Sequence, residues 1–324
     1  MSGVLPDMKM ENFVTLFDLL FLPQGLALHQ SMERHAGNYT LWILCVDDAV
    51  HDVLTKIKLP NVKLLKLSLL ETEELKKIKP GRSTGEYCWT TTPFTPRVVF
   101  ESDPTVNRVT YLDADLWFRK SPAPIFQEFD NSGKDVLITD HAYSPEYDLS
   151  EKSGQYCVQF TTFTREGGET VRKWWEERCI EWCFARYENG KFGDQKYLDD
   201  WPERFPEQVY VLSNQGWTLA PWNANRFPYS NGIFWHFHGL RLTEKHSKPM
   251  VQLTTEYSIP SITKKQIYEP YLDDLSAVIE IMKSHGVQPR LQQKYRTFGR
   301  LKGVWKGIKQ QLWRLNLELV SNLD

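Results

Sequence analysis

The sequence predicts an α/β protein: a mostly parallel sheet flanked by helices, then an α+β half, then a helical tail. Three observations lead there. Short apolar runs alternate with helical patterns up to Asp140, which is the rhythm of βαβ units. Four of those runs end on or beside an aspartate (Asp18, Asp47, Asp113 and Asp140), where parallel strands present their carboxyl ends to ligands. Beyond residue 150 the alternation gives way to longer helical and isolated strand patterns.

The elements follow in order. Phe13–Phe17 reads as a strand and Pro23–His35 as a helix, with proline in its first turn. Leu41–Val46 is a second buried strand ending on Asp47-Asp48, and Val62–Leu67 a third. Glu71–Lys79 is a polar helix closed by Pro80-Gly81. Val109–Leu112 is a fourth strand running into Asp113-Ala114-Asp115, and Val136–Thr139 a fifth. Val158–Phe163 is a strand, Glu169–Tyr187 a Trp-rich helix, and Gly193–Asp200 a turn entering a short helix. Val209–Leu212 and Phe234–Phe237 complete the strands, and the chain from Tyr268 onward reads as helical.

Composition narrows the function classes. Of the 324 residues 41% are hydrophobic and 25% charged, an ordinary globular balance. The net charge of −2 conceals an asymmetry: Arg290–Arg314 carries eight basic residues and no acidic one. Outside that stretch 31 basic residues face 41 acidic ones, which excludes a general nucleic-acid binder. The five cysteines lie in apolar or aromatic surroundings without metal-ligand spacing, so they read as buried free thiols of a reducing cytosol. Phe13–Leu28 is apolar but contains Asp18, Pro23 and Gln24 and lacks a basic leader. It reads as structure rather than a signal segment, and the protein as cytoplasmic.

The chemistry centres on Asp113-x-Asp115. Two carboxylates at i, i+2, leaving a buried strand, both reach a divalent cation, and hard oxygen donors suit Mn²⁺ or Mg²⁺ bridging a diphosphate. The apolar strand before them and Leu116-Trp117-Phe118 after them give two merely solvated acids little reason to be there. In Trp235-His236-Phe237-His238-Gly239, either histidine offers a nitrogen ligand, and Gly239 lets backbone approach phosphates. Asp194 and Gln195, in Phe192-Gly193-Asp194-Gln195, sit at a helix start, where an acid serves as an N-cap or faces a sugar.

In this order the motifs resemble the GT-A glycosyltransferases of the retaining family-8 type, the group of glycogenin and bacterial lipopolysaccharide galactosyl- and glucosyltransferases. The matching stretches are Asn107–Asp115, Gly193-Asp194-Gln195 and His236-Phe237-x-Gly239, within roughly residues 12 to 245. The resemblance implies a GT-A domain over 1–265 and a helical tail over 266–324. It implies that Asp113, Asp115 and His236 hold Mn²⁺ or Mg²⁺, and that Asp194 and Gln195 face the transferred sugar and acceptor. Gln155 or Gln159 contacts sugar hydroxyls, Arg97 contacts the donor, and Thr15 and Asp18 grip the base and ribose. Its implied partners are a nucleotide-sugar donor, by family habit a UDP-sugar, and a glycan or glycolipid acceptor.

The departures from the family lie at the phosphate end. A Lys-Pro-Trp usually follows the His-x-x-Gly motif; here Leu240-Arg241-Leu242-Thr243 stands instead, leaving Arg241 or Lys245 as its replacement. Two other readings are a degenerate nucleotide-sugar-binding scaffold and a nucleotidyltransferase. The second would want a Gly-rich, basic phosphate loop after the first strand, where Phe17–Phe21 stands. In the tail, Leu291, Phe298, Trp305, Leu312 and Leu319 recur every seven residues beside a basic face. Three uses fit residues 290–319: docking on the chain's own domain, a homodimer seam, or a peripheral anchor on the anionic inner face of the plasma membrane.

Overall fold

The computed structural model describes residues 10–245, 248–292 and 309–314. Its spine begins with β1 (Glu11–Phe17), α1 (Leu22–His35), β2 (Tyr39–Cys45), α2 (Asp48–Ile57) and β3 (Val62–Lys66). These pair in parallel, Phe17 beside Cys45 and Cys45 beside Lys66, so Asp18 and Asp47 emerge at one end of the sheet. Asp47 caps α2, accepting the Val50 N–H at 2.8 Å. Three helices follow: α3 (Glu73–Ile78), α4 (Thr84–Thr91) and α5 (Thr95–Ser102). The last two were not read from the sequence, where Thr90–Thr92 and the two prolines obscure the apolar period. A capping box between Ser83 and Glu86 starts α4.

The chain returns to the sheet centre as β4 (Arg108–Leu112), then makes the short β5 (Leu116–Phe118), α6 (Ala123–Ser132) and β6 (Val136–Asp140). After the single turn α7 (Ser150–Ser153) come β7 (Tyr156–Thr164) and α8 (Glu169–Glu181), which ends six residues before the predicted Tyr187. Beyond α8 the chain turns at Asn189-Gly190, both at positive φ, as hairpin tips require. The turn α9 (Trp201–Arg204) leads to β8 (Val209–Val211), completing a seven-stranded sheet in the order β3-β2-β1-β4-β7-β6-β8. All pairings are parallel except the two that β7 makes, so the mostly parallel sheet holds.

Two small sheets finish the fold. β9 (Thr218–Leu219) and β10 (Phe234–His236) join β5 in one. β11 (Leu240–Lys245) and β12 (Lys248–Thr255) form a hairpin in the other. The turn α10 (Ser261–Thr263) precedes α11 (Glu269–Ser284). Helices cover both faces of the main sheet, giving two cores. One gathers Phe13, Leu26, Phe118, Phe160, Phe234, Tyr271 and Leu275; the other gathers Val14, Trp42, Val99, Val109, Phe163 and Trp175. Alternation along β1 sends Phe13 and Val14 to opposite cores. α11, grouped with the tail by sequence, packs into the first of these cores.

The tail departs from expectation. Lys309–Arg314 is a strand, β13, paired antiparallel with β12, and not the helix that the seven-residue repeat suggested. β12 offers it an open ladder of backbone donors and acceptors. Leu291, the first residue of the stripe, packs against the first core, whereas Phe298, Trp305 and Leu319 lie outside the described residues. All five cysteines are free, and four of them are buried. Among the described residues no helix is long and apolar enough to cross a membrane.

Candidate metal and nucleotide-sugar site

Asp113 and Asp115 leave β4 in a tight turn, closed by Leu116 N–H to Asp113 O at 3.2 Å. β5 begins at once and pairs antiparallel with β10, placing Leu116 opposite His236, while Phe237 N–H donates to Asp115 O at 2.9 Å. Two stretches far apart in sequence thereby face each other through backbone hydrogen bonds. His236 Nε2 stands 3.1 Å from Asp115 Oδ1 and 3.7 Å from Asp113 Oδ2. One ligand atom from each of the three residues lies within 4.8 Å of the others. His238 contributes no ligand atom to this group, so geometry selects His236.

A neighbour orients that histidine. β7 carries a bulge: its register to β6 moves from Leu137–Thr162 to Thr139–Cys157. The bulge aims the fully buried Gln159 at the site, with its Oε1 2.8 Å from His236 Nδ1. A carboxamide oxygen only accepts, so Nδ1 carries a proton and Nε2 faces the carboxylates. Of the two glutamines expected at sugar hydroxyls, Gln159 turns its Oε1 to the histidine and leaves its buried Nε2 without a partner among the described residues. Its backbone carbonyl also accepts the Asp113 N–H, at 3.1 Å.

Electrostatics bind the group together. Burial alone would raise the Asp115 carboxyl; His236 and then Arg241 outweigh it and hold that carboxyl below the usual range. Asp113 is raised, chiefly by burial, against the pull of His236. His236 is itself raised, because Asp115 and Asp113 overcome the burial that would lower it. Tyr111 Oη donates to Asp113 Oδ1 at 2.9 Å. Two carboxylates and an imidazole with a fixed tautomer are the mixed oxygen and nitrogen set that suits Mn²⁺ or Mg²⁺.

Arg241, on β11, brings a cation to the same place. Its guanidinium lies 3.7 Å from Asp115 Oδ2, donates to Leu240 O at 2.7 Å and rests 4.6 Å over the Phe21 ring. Asp194 is buried, and burial, followed by the charge of Asp113, pushes its carboxyl well above the usual range. Gln195 beside it donates from Nε2 to Ser153 O at 2.8 Å.

The other expected site residues divide. Asp18 stands at the sheet mouth, where its Oδ1 accepts the N–H groups of Leu20 and Phe21. Gln155 reaches Asp140 Oδ2 at 3.4 Å, on the rim. Thr15 is fully buried inside β1, and its hydroxyl has no hydrogen-bond partner among the described residues. Arg97 is drawn away on α5, donating to Leu70 O and lying 3.6 Å from Glu101 and 3.9 Å from Glu176 of α8. At Gly239 φ is +78°, and a Cβ there would meet Thr254 O at 2.4 Å, so the local packing requires glycine. Sequence reasoning also missed Tyr111, Phe21 and Trp222, whose ring meets His236 edge-on at 5.3 Å. Aromatic residues are too common in this chain for their spacing to single these out.

No protein-family model matches the chain. The "uncharacterized protein YfnF" of Bacillus subtilis (strain 168) is 33% identical over 281 residues, covering 81% of this chain and 91% of YfnF. The chain belongs to the YfnF family. A second B. subtilis relative, the "uncharacterized protein YfnD", is 30% identical over 291 residues, covering 84% of this chain and 91% of YfnD. Among solved structures, a galactosyltransferase LgtC in complex with donor and acceptor sugar analogues matches with a TM-score of 0.51 at 11% identity. That match covers 85% of this chain and 99% of LgtC. The apo structure of the bifunctional glycosyltransferase WbbM matches at 0.50 and 15% identity, covering 89% of this chain and 53% of WbbM. This member of the YfnF family therefore has the GT-A glycosyltransferase fold, and the resemblance read from its motifs holds at the level of fold.

Proposed function

We propose that the chain is a metal-dependent glycosyltransferase. It moves a hexose from a nucleoside-diphosphate sugar, by the resemblance a UDP-sugar, to a hydroxyl of a glycan or glycolipid with retention. The observation that carries this reading is the convergence of Asp113, Asp115, His236 and Arg241 at the mouth of a GT-A sheet. Mn²⁺ or Mg²⁺ held by the first three supplies a Lewis acid that neutralises charge on a departing diphosphate. Arg241 adds a permanent cation for a second phosphate oxygen, in the place of the missing lysine.

Asp194 faces the sugar as a hydrogen-bonding partner. Burial, followed by the charge of Asp113, raises its carboxyl, which weighs against a role as the dedicated base. This favours a same-face displacement: the acceptor O–H adds to the anomeric carbon, the bond from that carbon to the diphosphate oxygen breaks, and the proton passes to the departing phosphate. Gln195 has its Nε2 engaged by Ser153 O, and in this reading its Oε1 is the group that stabilises the developing positive centre. The acceptor reading extends to membrane-linked glycans at the cytoplasmic face, with the basic segment 290–319 meeting anionic lipid; flotation of the full chain with anionic liposomes tests that part.

A thermal-shift panel of nucleotide sugars with and without Mn²⁺ tests the reading, followed by donor hydrolysis with the best binder. One donor should stabilise the protein only with metal, and Asp113→Ala with Asp115→Ala should remove both stabilisation and turnover. Full turnover in that double variant would sink the assignment, and binding without hydrolysis or transfer would favour the scaffold reading.

A further inference from the structure

The small sheet that pairs Asp115 with His236 is held from both sides. Its inner face, Phe118 and Phe234, packs on Phe13 and Phe160 of the main sheet. Its outer face, Trp117, Trp235 and Phe237, packs on Tyr268 and Tyr271, so α11 is its lid. A directed polar link runs through that apolar contact. Trp117 Nε1 donates to Asp274 Oδ2 at 2.7 Å, and Arg34 of α1 binds both oxygens of the same carboxylate, the contact to Oδ1 at 3.2 Å. Asp274 thus ties α11, α1 and β5 at one point.

We propose that Asp274 and Trp117 are positioning residues for the metal turn, an inference that rests on the metal-dependent reading above. Trp117 follows Asp115 by two residues along a short strand, and Asp115 is itself bonded to Phe237 across the pair. A turn or shift of the Trp117 ring therefore moves Asp115 relative to His236. Apolar packing alone lets an indole slide, because dispersion has no direction. A charge-assisted hydrogen bond to a carboxylate pinned by arginine fixes the ring in its own plane. Metal ligands need placement to within about half an ångström, and that demand separates a positioning link from a merely stabilising one.

The test is Mn²⁺ binding to the full chain, followed by electron paramagnetic resonance, with the melting temperature measured in parallel. Wild type should bind, and Asp113→Ala should not. Trp117→Phe and Asp274→Leu should weaken binding about tenfold, the lower end expected of outer-shell support. Asp274→Asn should recover most of it, since the amide oxygen still accepts from Trp117. Clasp variants that melt earlier yet bind Mn²⁺ like wild type would overturn the proposal and leave the metal site standing. Absence of binding in wild type would remove the metal reading and the clasp with it. Should Asp274→Leu fail to fold, Trp117→Phe decides, because it deletes only the donor and part of the ring.

Discussion

At the scale of single residues, the site is a set of buried polar groups whose partners are assigned. Gln159 sets the histidine tautomer, so Gln159→Leu should reduce Mn²⁺ affinity 10–100-fold while the fold persists, as a metal titration of donor hydrolysis would show. Arg241→Ala should raise the donor KM more than it lowers kcat if the guanidinium binds ground state and transition state alike. His141 gives a pH effect. Enclosed by Tyr143 and Trp222, it is pushed down to about 3, mainly by burial, from the ordinary 6.5. The unfolded chain therefore takes up its proton first, and the stability contribution is full above about 6.5 and lost as pH falls toward 3. The slope is at most about 1.4 kcal/mol per pH unit from this group. Denaturant midpoints should fall between pH 7 and 5, and His141→Gln should flatten the fall. His29, likewise lowered by burial, leaves some slope behind.

At the scale of elements, legibility followed length and periodicity. β1, β2, β4 and β6 were readable because each is an apolar run ending at or beside an aspartate, and β3 because Pro60-Asn61 marks its start. β5 and β9, with three and two residues, carry no period, yet β5 holds the metal turn against His236. The Asp113, Asp115 and His236 set was legible because ligand chemistry restricts residue type. Gln159 and Trp117 were not, since their roles come from a bulge and a cross-sheet contact with no local signature. Arg97 and Thr15 show the converse: right residue types at matching spacing, turned by the local helix and strand into ion pairing and core. Gly239 belongs at this scale too. Gly239→Ala sets a Cβ against the Thr254 carbonyl in a left-handed conformation and should cost about 1–3 kcal/mol, measurable by urea unfolding.

At the scale of the whole molecule, the main sheet supplies the platform, and the smaller sheets and α11 supply the precision. A donor that binds the native state alone should stabilise the entire fold, by about 2.7 kcal/mol at a hundredfold excess over Kd. Because the two cores share the central sheet, that gain should appear as one cooperative shift in the melting curve. The lid over Trp117, Trp235 and Phe237 also has a meaning for biogenesis. On the ribosome, the aspartates emerge long before His236, and His236 before α11. Between the emergence of Phe237 from the exit tunnel and that of residue 284, three large aromatic side chains have nothing to cover them, so a nascent chain halted in that interval is a natural client for a chaperone.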